Sequence, residues 1–169
     1  MRKTIAIIAV CFATFASSFG ASAQSSGSGG IGLSRAEWED SYGKGEFGQS
    51  LVEYRTRDGL PIYVGYVDGT VSSIEVKVID AENGGLTSDQ AESLVEALLP
   101  TDAEIDETFS VLASPAHPLR TLQLQTWDSD WLEDNVGDDH ETILVILQED
   151  QSENSMDTIV TGVSLLLED

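Results

Sequence analysis

Apolar residues recur along this chain first at a helical period, then at a period of two, and then through the same succession again. From Leu33 the run LSRAEWEDSYG has Ser34 placed as an N-cap with Glu37 three residues on, the pattern of a capping box. Leu33 and Trp38 stand at the flanking positions of a hydrophobic staple, and Gly43 supplies the left-handed residue that closes a short helix. From Ser50 the period changes to two. SLVEYRTR, LPIYVGYV and TVSSIEVKVI are separated by Asp58-Gly59 and Asp68-Gly69, both favoured two-residue hairpin turns, and they predict a three-stranded antiparallel meander. Ile62, Val64 and Tyr66 share one face, as do Ile74, Val76 and Val78, while Glu75 and Lys77 point outward. After a loop over 80–85 the succession starts again. Leu86-Thr87 with Gln90 repeats the helix start, Ala91, Leu94, Val95 and Leu98 form one helix face, and Pro100 stops the helix. Four strands follow, beginning at Glu104, Pro118, Glu141 and Asp157. The last two are apolar at both alternations, which suits central strands. The expected fold is α+β: two tandem helix-plus-antiparallel-meander units, 33–85 and 86–169, forming one sheet of about seven strands with two helices packed on one face.

The first residues change the compartment. Arg2 and Lys3 precede an apolar run from Ile5 to Phe15, and Ala21-Ser22-Ala23 matches a small-residue cleavage site, so residues 1–23 read as a signal peptide and the protein as secreted or periplasmic. The apolar run is shorter than the ~20 residues of a spanning helix, so no membrane insertion is expected after cleavage. Cys11 lies inside the run and precedes Phe12, which excludes a lipid-anchoring cysteine at the cut. It is the only cysteine, so the exported body has neither disulfide nor thiol and must be held by its core. Residues 24–32, beginning QSSGSGG, read as a flexible Gly/Ser-rich linker ahead of a single domain over 33–169.

Charge narrows the partners. Thirty acidic residues face eight basic ones; losing Arg2 and Lys3 with the signal leaves six basic residues and a balance of about −24. The acids are interleaved with periodic apolar positions, the arrangement of a folded domain with an acidic surface and not of a disordered tail. Such a surface repels phosphate backbones and anionic lipid headgroups, so neither nucleic acid nor a membrane surface is an expected partner. A basic or cationic protein is, with salt adaptation as the alternative account of the acidity.

A capped short helix, a glycine-rich loop, a strand and then YVGYVDGTVSSIEV together resemble the repeat unit of secreted β-lactamase-inhibitory proteins and of the small outer-membrane assembly lipoproteins that share their helix-plus-meander design. The likeness covers Leu33 to Ile79 best. It implies the fold above and a habit of binding proteins without catalysis. The chain departs from the first group in lacking disulfides and from the second in lacking a lipidated cysteine, so it implies neither β-lactamase inhibition nor membrane-protein assembly, and no binding residue.

Candidate chemistry is sparse. Gly43, Gly45 and Gly48 fit the spacing of a dinucleotide loop, but they follow a helix and precede a strand, the reverse of the order that presents phosphate to a helix N-terminus. No cofactor is expected. His117 and His140, the two histidines, fall in separate loops without the partner spacing of a zinc helix, and no G-x-S-x-G elbow is present, so no catalytic residue is assigned. A small secreted hydrolase is the alternative function. The stretch WDSDWLEDNVGDDHE stands out: Trp127, Asp128, Asp130 and Trp131 form an aromatic, acidic loop suited to gripping a basic partner. Calcium is the competing ligand, through Asp128, Asp130, Asp138, Asp139 and Glu141, but Glu133 occupies the sixth position, where an EF-hand loop requires glycine. No metal ligand is therefore assigned.

Overall fold

A computed structural model describes residues 27–47, 51–55, 61–78, 85–112, 120–137, 142–151 and 158–168. The signal peptide, His117, His140, Asp138, Asp139, Glu141 and the Asp58-Gly59 turn lie outside them. In chain order the elements are α1 (Arg35–Tyr42), β1 (Glu46–Phe47), β2 (Val52–Arg55), β3 (Pro61–Val67), β4 (Thr70–Lys77), α2 (Ser88–Leu98), β5 (Glu104–Leu112), β6 (Arg120–Asp128), α3 (Asp130–Asn135), β7 (Thr142–Gln151) and β8 (Thr158–Leu167). The strands form one antiparallel sheet in the order β1-β2-β3-β4-β8-β7-β6-β5. Seven are full strands and β1 is two residues long. This is the α+β architecture expected of two tandem units: each meander runs outward-to-centre, and the two last strands, β4 and β8, pair to join the halves.

The two long helices start as their sequences require. Ser34 accepts from the Glu37 N–H while the Glu37 carboxylate accepts from the Ser34 N–H, and Thr87 and Gln90 repeat the exchange at α2. Gly43 ends α1 at φ 83°, its N–H donating to the Glu39 carbonyl at 2.9 Å. The repeat extends to how each helix is tied down. The residue pair before α1 bonds to the start of β4, with Val71 N donating to Leu33 O, and the pair before α2 bonds to the start of β8, with Leu86 and Val160 exchanging both backbone bonds. Ser34→Ala and Thr87→Ala should each cost about 1 kcal/mol, read as a lowered denaturant midpoint.

The core lies between the helices and the central strands. Leu33, Trp38, Ala91, Leu94, Val95 and Leu98 of the helical layer meet Val64, Ile74, Val76, Val145, Val163 and Leu165 of the sheet, all buried. The β3–β4 hairpin turns on Asp68 and Gly69 at φ 49° and 86°, the paired left-handed residues of a type I′ turn.

Two expectations need correction. The linker reading of residues 24–32 does not hold from residue 27 onward. Ser28 through Leu33 are buried; Gly29 N donates to Leu99 O at 3.1 Å and Ile31 N to Leu98 O at 3.0 Å, so the segment is a strap clamped against the end of α2. Gly-Ser composition reads as flexibility, but here the missing side chains allow the backbone to approach another backbone: a Cβ on Gly29 would stand 1.9 Å from Ala97 O. The second correction is α3, a third helix within the stretch read as a loop. Ser129 caps it, Asp130 and Glu133 lie in its first turn, and Leu132 drops into the core.

A tyrosine cluster sits beneath α1. The Tyr54 and Tyr66 hydroxyls share a hydrogen bond at 2.7 Å, and the Tyr42 hydroxyl donates to Gly29 O at 2.6 Å. Burial raises the pKa of Tyr42, and burial followed by the bond to Tyr54 raises that of Tyr66. The unfolded chain ionises at the ordinary tyrosine value of about 10 while the folded chain stays neutral. Stability supplied by these groups is therefore complete below pH ~10 and is lost as pH climbs toward the folded values. A melting series from neutral to strongly alkaline pH should fall above pH ~10, less steeply for Tyr42→Phe, which has no proton to lose.

Candidate functional site

Register separates the two faces of the sheet. Ile74, Leu165, Val145 and Gln125 lie in one cross-strand row facing the helices; the adjacent row, Glu75, Ser164, Ile146, Leu124 and Phe109, faces the other way. Beyond β7 the polarity of the sheet inverts. In the middle of β5 and β6 the helix-side positions are Thr108, Ser110, Gln123 and Gln125, with Ile105, Leu112 and Trp127 on that side only toward the strand ends, and the apolar residues Phe109, Val111, Leu122 and Leu124 occupy the open side. With Leu144, Ile146 and Leu166 they make a continuous apolar patch across β5 to β8, half-buried at its centre and exposed at its edges; Phe109 is 47% exposed, Val111 44% and Leu166 37%. No described helix covers it.

The inversion follows from reach. α2 lies over β8, and the described helical layer extends only as far as α3, so β5 at the rim has no described helix to pack on, and all nine of its residues are exposed. A strand so placed would ordinarily carry polar side chains on both faces, whereas the middle of β5 and β6 presents branched and aromatic side chains to the open side, and Ile105 and Leu112 at the two ends of β5 lie exposed on the other.

The patch has an acidic rim. At one end Glu104 pairs directly across from Asp128, a like-charge pair, with Glu107 beside them. On the flank toward β4, Lys77 is 3.4 Å from Glu75 and lies 5.1 Å from the centre of the Tyr63 ring. At the far end Arg120 pairs with Asp150 at 2.8 Å. Both rim cations are thus matched by carboxylates, and the Glu104–Asp128 end remains in excess. Between patch and flank, the missing side chain of Gly162 leaves a shallow depression of about 230 Å³, floored by Leu122 and Ile146 and walled by Glu75, Lys77, Gln148 and Ser164.

The four residues singled out in the sequence are divided between the faces. Asp128 lies on the open side, where its carboxylate accepts from the Thr142 hydroxyl at 3.0 Å. Trp127 points to the helix side, half-buried, its indole N–H donating to Gln125 Oε1 at 3.1 Å. Trp131 is half-buried on α3 and packs over the strap, where a Cβ on Gly27 would meet its ring; Asp130 is exposed on the same helix. Asp102 organises this corner by accepting from Ser129 Oγ and Trp131 N, both at 2.8 Å. Among the described residues no group of three or more histidine, cysteine or acidic side chains is gathered as a metal site, and no helix is long and apolar enough to cross a membrane. The open face was missed in the sequence because β6 alternates like any half-buried strand. Its one outward signal was TFSVL on a strand whose neighbouring positions are acidic.

Fold and face define an α+β domain of two helix-plus-meander units with one side of its sheet partly apolar and covered by no described helix. No family model and no curated protein matches the chain. Among solved structures it is similar to a cysteine-rich secretory protein from Staphylococcus aureus, at 11% identity and a TM-score of 0.33, over 80% of this chain and 44% of that one. The chain thus spans less than half the length of that neighbour.

Proposed function

We propose that this chain is an exported, non-catalytic binding module whose contact surface is the open face of β5 to β8, and that its partner is a protein with an apolar centre and a cationic rim. The apolar patch carries the reading: Phe109, Val111 and Leu166 are exposed and the half-buried Leu122, Leu124, Leu144 and Ile146 lie between them on one side of the sheet. The charge of the partner follows from the rim, where Glu104 faces Asp128, and from the net charge of −22, which disfavours a second copy of the chain. Export rests on the basic and apolar leader of residues 1–23, and predicts Gln24 as the first residue of the protein recovered outside the cell.

The test is capture of a stoichiometric partner from culture medium and envelope fractions, compared across variants. Phe109→Lys with Leu124→Lys should abolish capture and leave the melting temperature within a few degrees, since both residues are already partly in water. Asp130→Ala, on α3, should retain capture. Loss on Asp130→Ala with retention by the lysine pair would move the site to α3, and capture by every variant would overturn the reading.

A further inference from the structure

We infer that β5 receives the partner as an added strand: an extended segment with apolar residues at alternate positions and a cluster of lysine or arginine at the end that meets Glu104 and Glu107. This rests on the binding reading above and specifies its geometry. β5 is the last strand of the sheet, is nine residues long and is exposed throughout, whereas the opposite edge, β1, is two residues long. Alternate backbone N–H and C=O groups along β5 point away from β6 and offer a ladder to another chain.

Two halves of the edge do different work. Glu104, Asp106 and Glu107 crowd the first half, and the pairing with β6 slips between Ile105 and Glu107. Acids and a bulge are devices that stop edges from pairing with copies of themselves. The second half, Thr108 to Leu112, contains no charge, proline or register slip; threonine, phenylalanine and valine suit a strand. The edge is therefore closed to another acidic chain along one half and open along the other. A cationic strand turns the obstructing half into an attraction. Phe109 and Val111, at the very edge, are among the most exposed apolar residues of the open face, so the alternate side chains of an added strand would continue the apolar rows already running through β6 and β7.

The test uses the full chain and synthetic peptides of about ten residues, long enough to match the strand. Each alternates valine and threonine and carries three lysines, at the N-terminal end in one and at the C-terminal end in the other, covering parallel and antiparallel pairing. Controls replace the central valine by proline or the lysines by glutamates. The expected result is slowed hydrogen exchange, by about tenfold or more, at alternate amides of residues 108–112 with one lysine peptide. The effect should be absent with both controls, weakened by sodium chloride, and weakened by Glu104→Gln with Glu107→Gln. Shifts confined to Leu124, Leu144 and Ile146, with the β5 amides unprotected, would overturn strand addition and leave open-face docking intact. No response to either lysine peptide would also overturn strand addition. Protection without any peptide, together with a doubled mass in sedimentation, would make a second copy the occupant and overturn the cationic partner.

Discussion

Gly29→Ala is expected to destabilise the domain by about 3 kcal/mol, the upper part of the range for forcing an extra carbon into a packed interior. The carbon would lie 1.9 Å from the carbonyl oxygen of Ala97 and 2.7 Å from its carbon, both backbone atoms at the end of α2 that cannot rotate away. Relief requires the strap to lift, which would break the bonds from Gly29 N to Leu99 O and Ile31 N to Leu98 O and uncover Ile31, now fully buried. Gly43→Ala separates this effect from backbone strain. Its added carbon meets nothing within 4 Å, so the cost, about 1 to 3 kcal/mol, comes from its φ of 83° and ψ of −176°, a conformation that side chains rarely adopt. Urea denaturation followed by tryptophan fluorescence reads both. A loss below about 1 kcal/mol for Gly29→Ala would mean that the strap does not clamp α2, and with it the account of residues 27–32 would fail.

Trp38→Ala should cost about 4 kcal/mol, within the range for truncating a buried aromatic side chain. Trp38 is fully buried, lies 4.1 Å from the ring centre of Tyr42, and meets Tyr54 edge-on at 5.7 Å. It is also the staple that holds α1 to the sheet. Trp38→Phe should cost much less, about 1 to 2 kcal/mol, because the indole N–H has no hydrogen-bond partner and its removal relieves a desolvated donor while opening a smaller cavity. Against a typical total of 5–15 kcal/mol, the alanine variant should be visibly less abundant, and the phenylalanine variant near normal. A loss below about 1 kcal/mol for Trp38→Ala would show that α1 is not anchored through this ring.

What was legible in the sequence is local. Ser34 with Glu37, and Thr87 with Gln90, announce helix starts because the cap is a contact over three residues; Asp68-Gly69 announces its hairpin because only such residues tolerate the paired left-handed backbone. Even the fold class followed, since a helix-then-meander pattern stated twice leaves few ways to bury both apolar faces. The short helix α3 was obscured by its acids: Ser129 and the first-turn Asp130 are proper start signals, but six residues show less than two turns of periodicity.

The strap and the open face were beyond local reading for the same reason. Whether Gly29 is a hinge or a contact depends on Ala97, nearly seventy residues away, and whether Leu124 faces core or solvent depends on how far the helical layer reaches across the sheet. Periodicity states that β6 has an apolar side; it does not say on which side a helix will lie. The sequence by itself determined the two long helices with their caps, the long strands, the Asp68-Gly69 turn, the acidity and the paired units. The tertiary structure alone decided that residues 27–32 are packed against α2, that Trp131 lies over them, and that no described helix covers the apolar side of β5 and β6. Burial is a relation between distant segments, and no segment carries it alone.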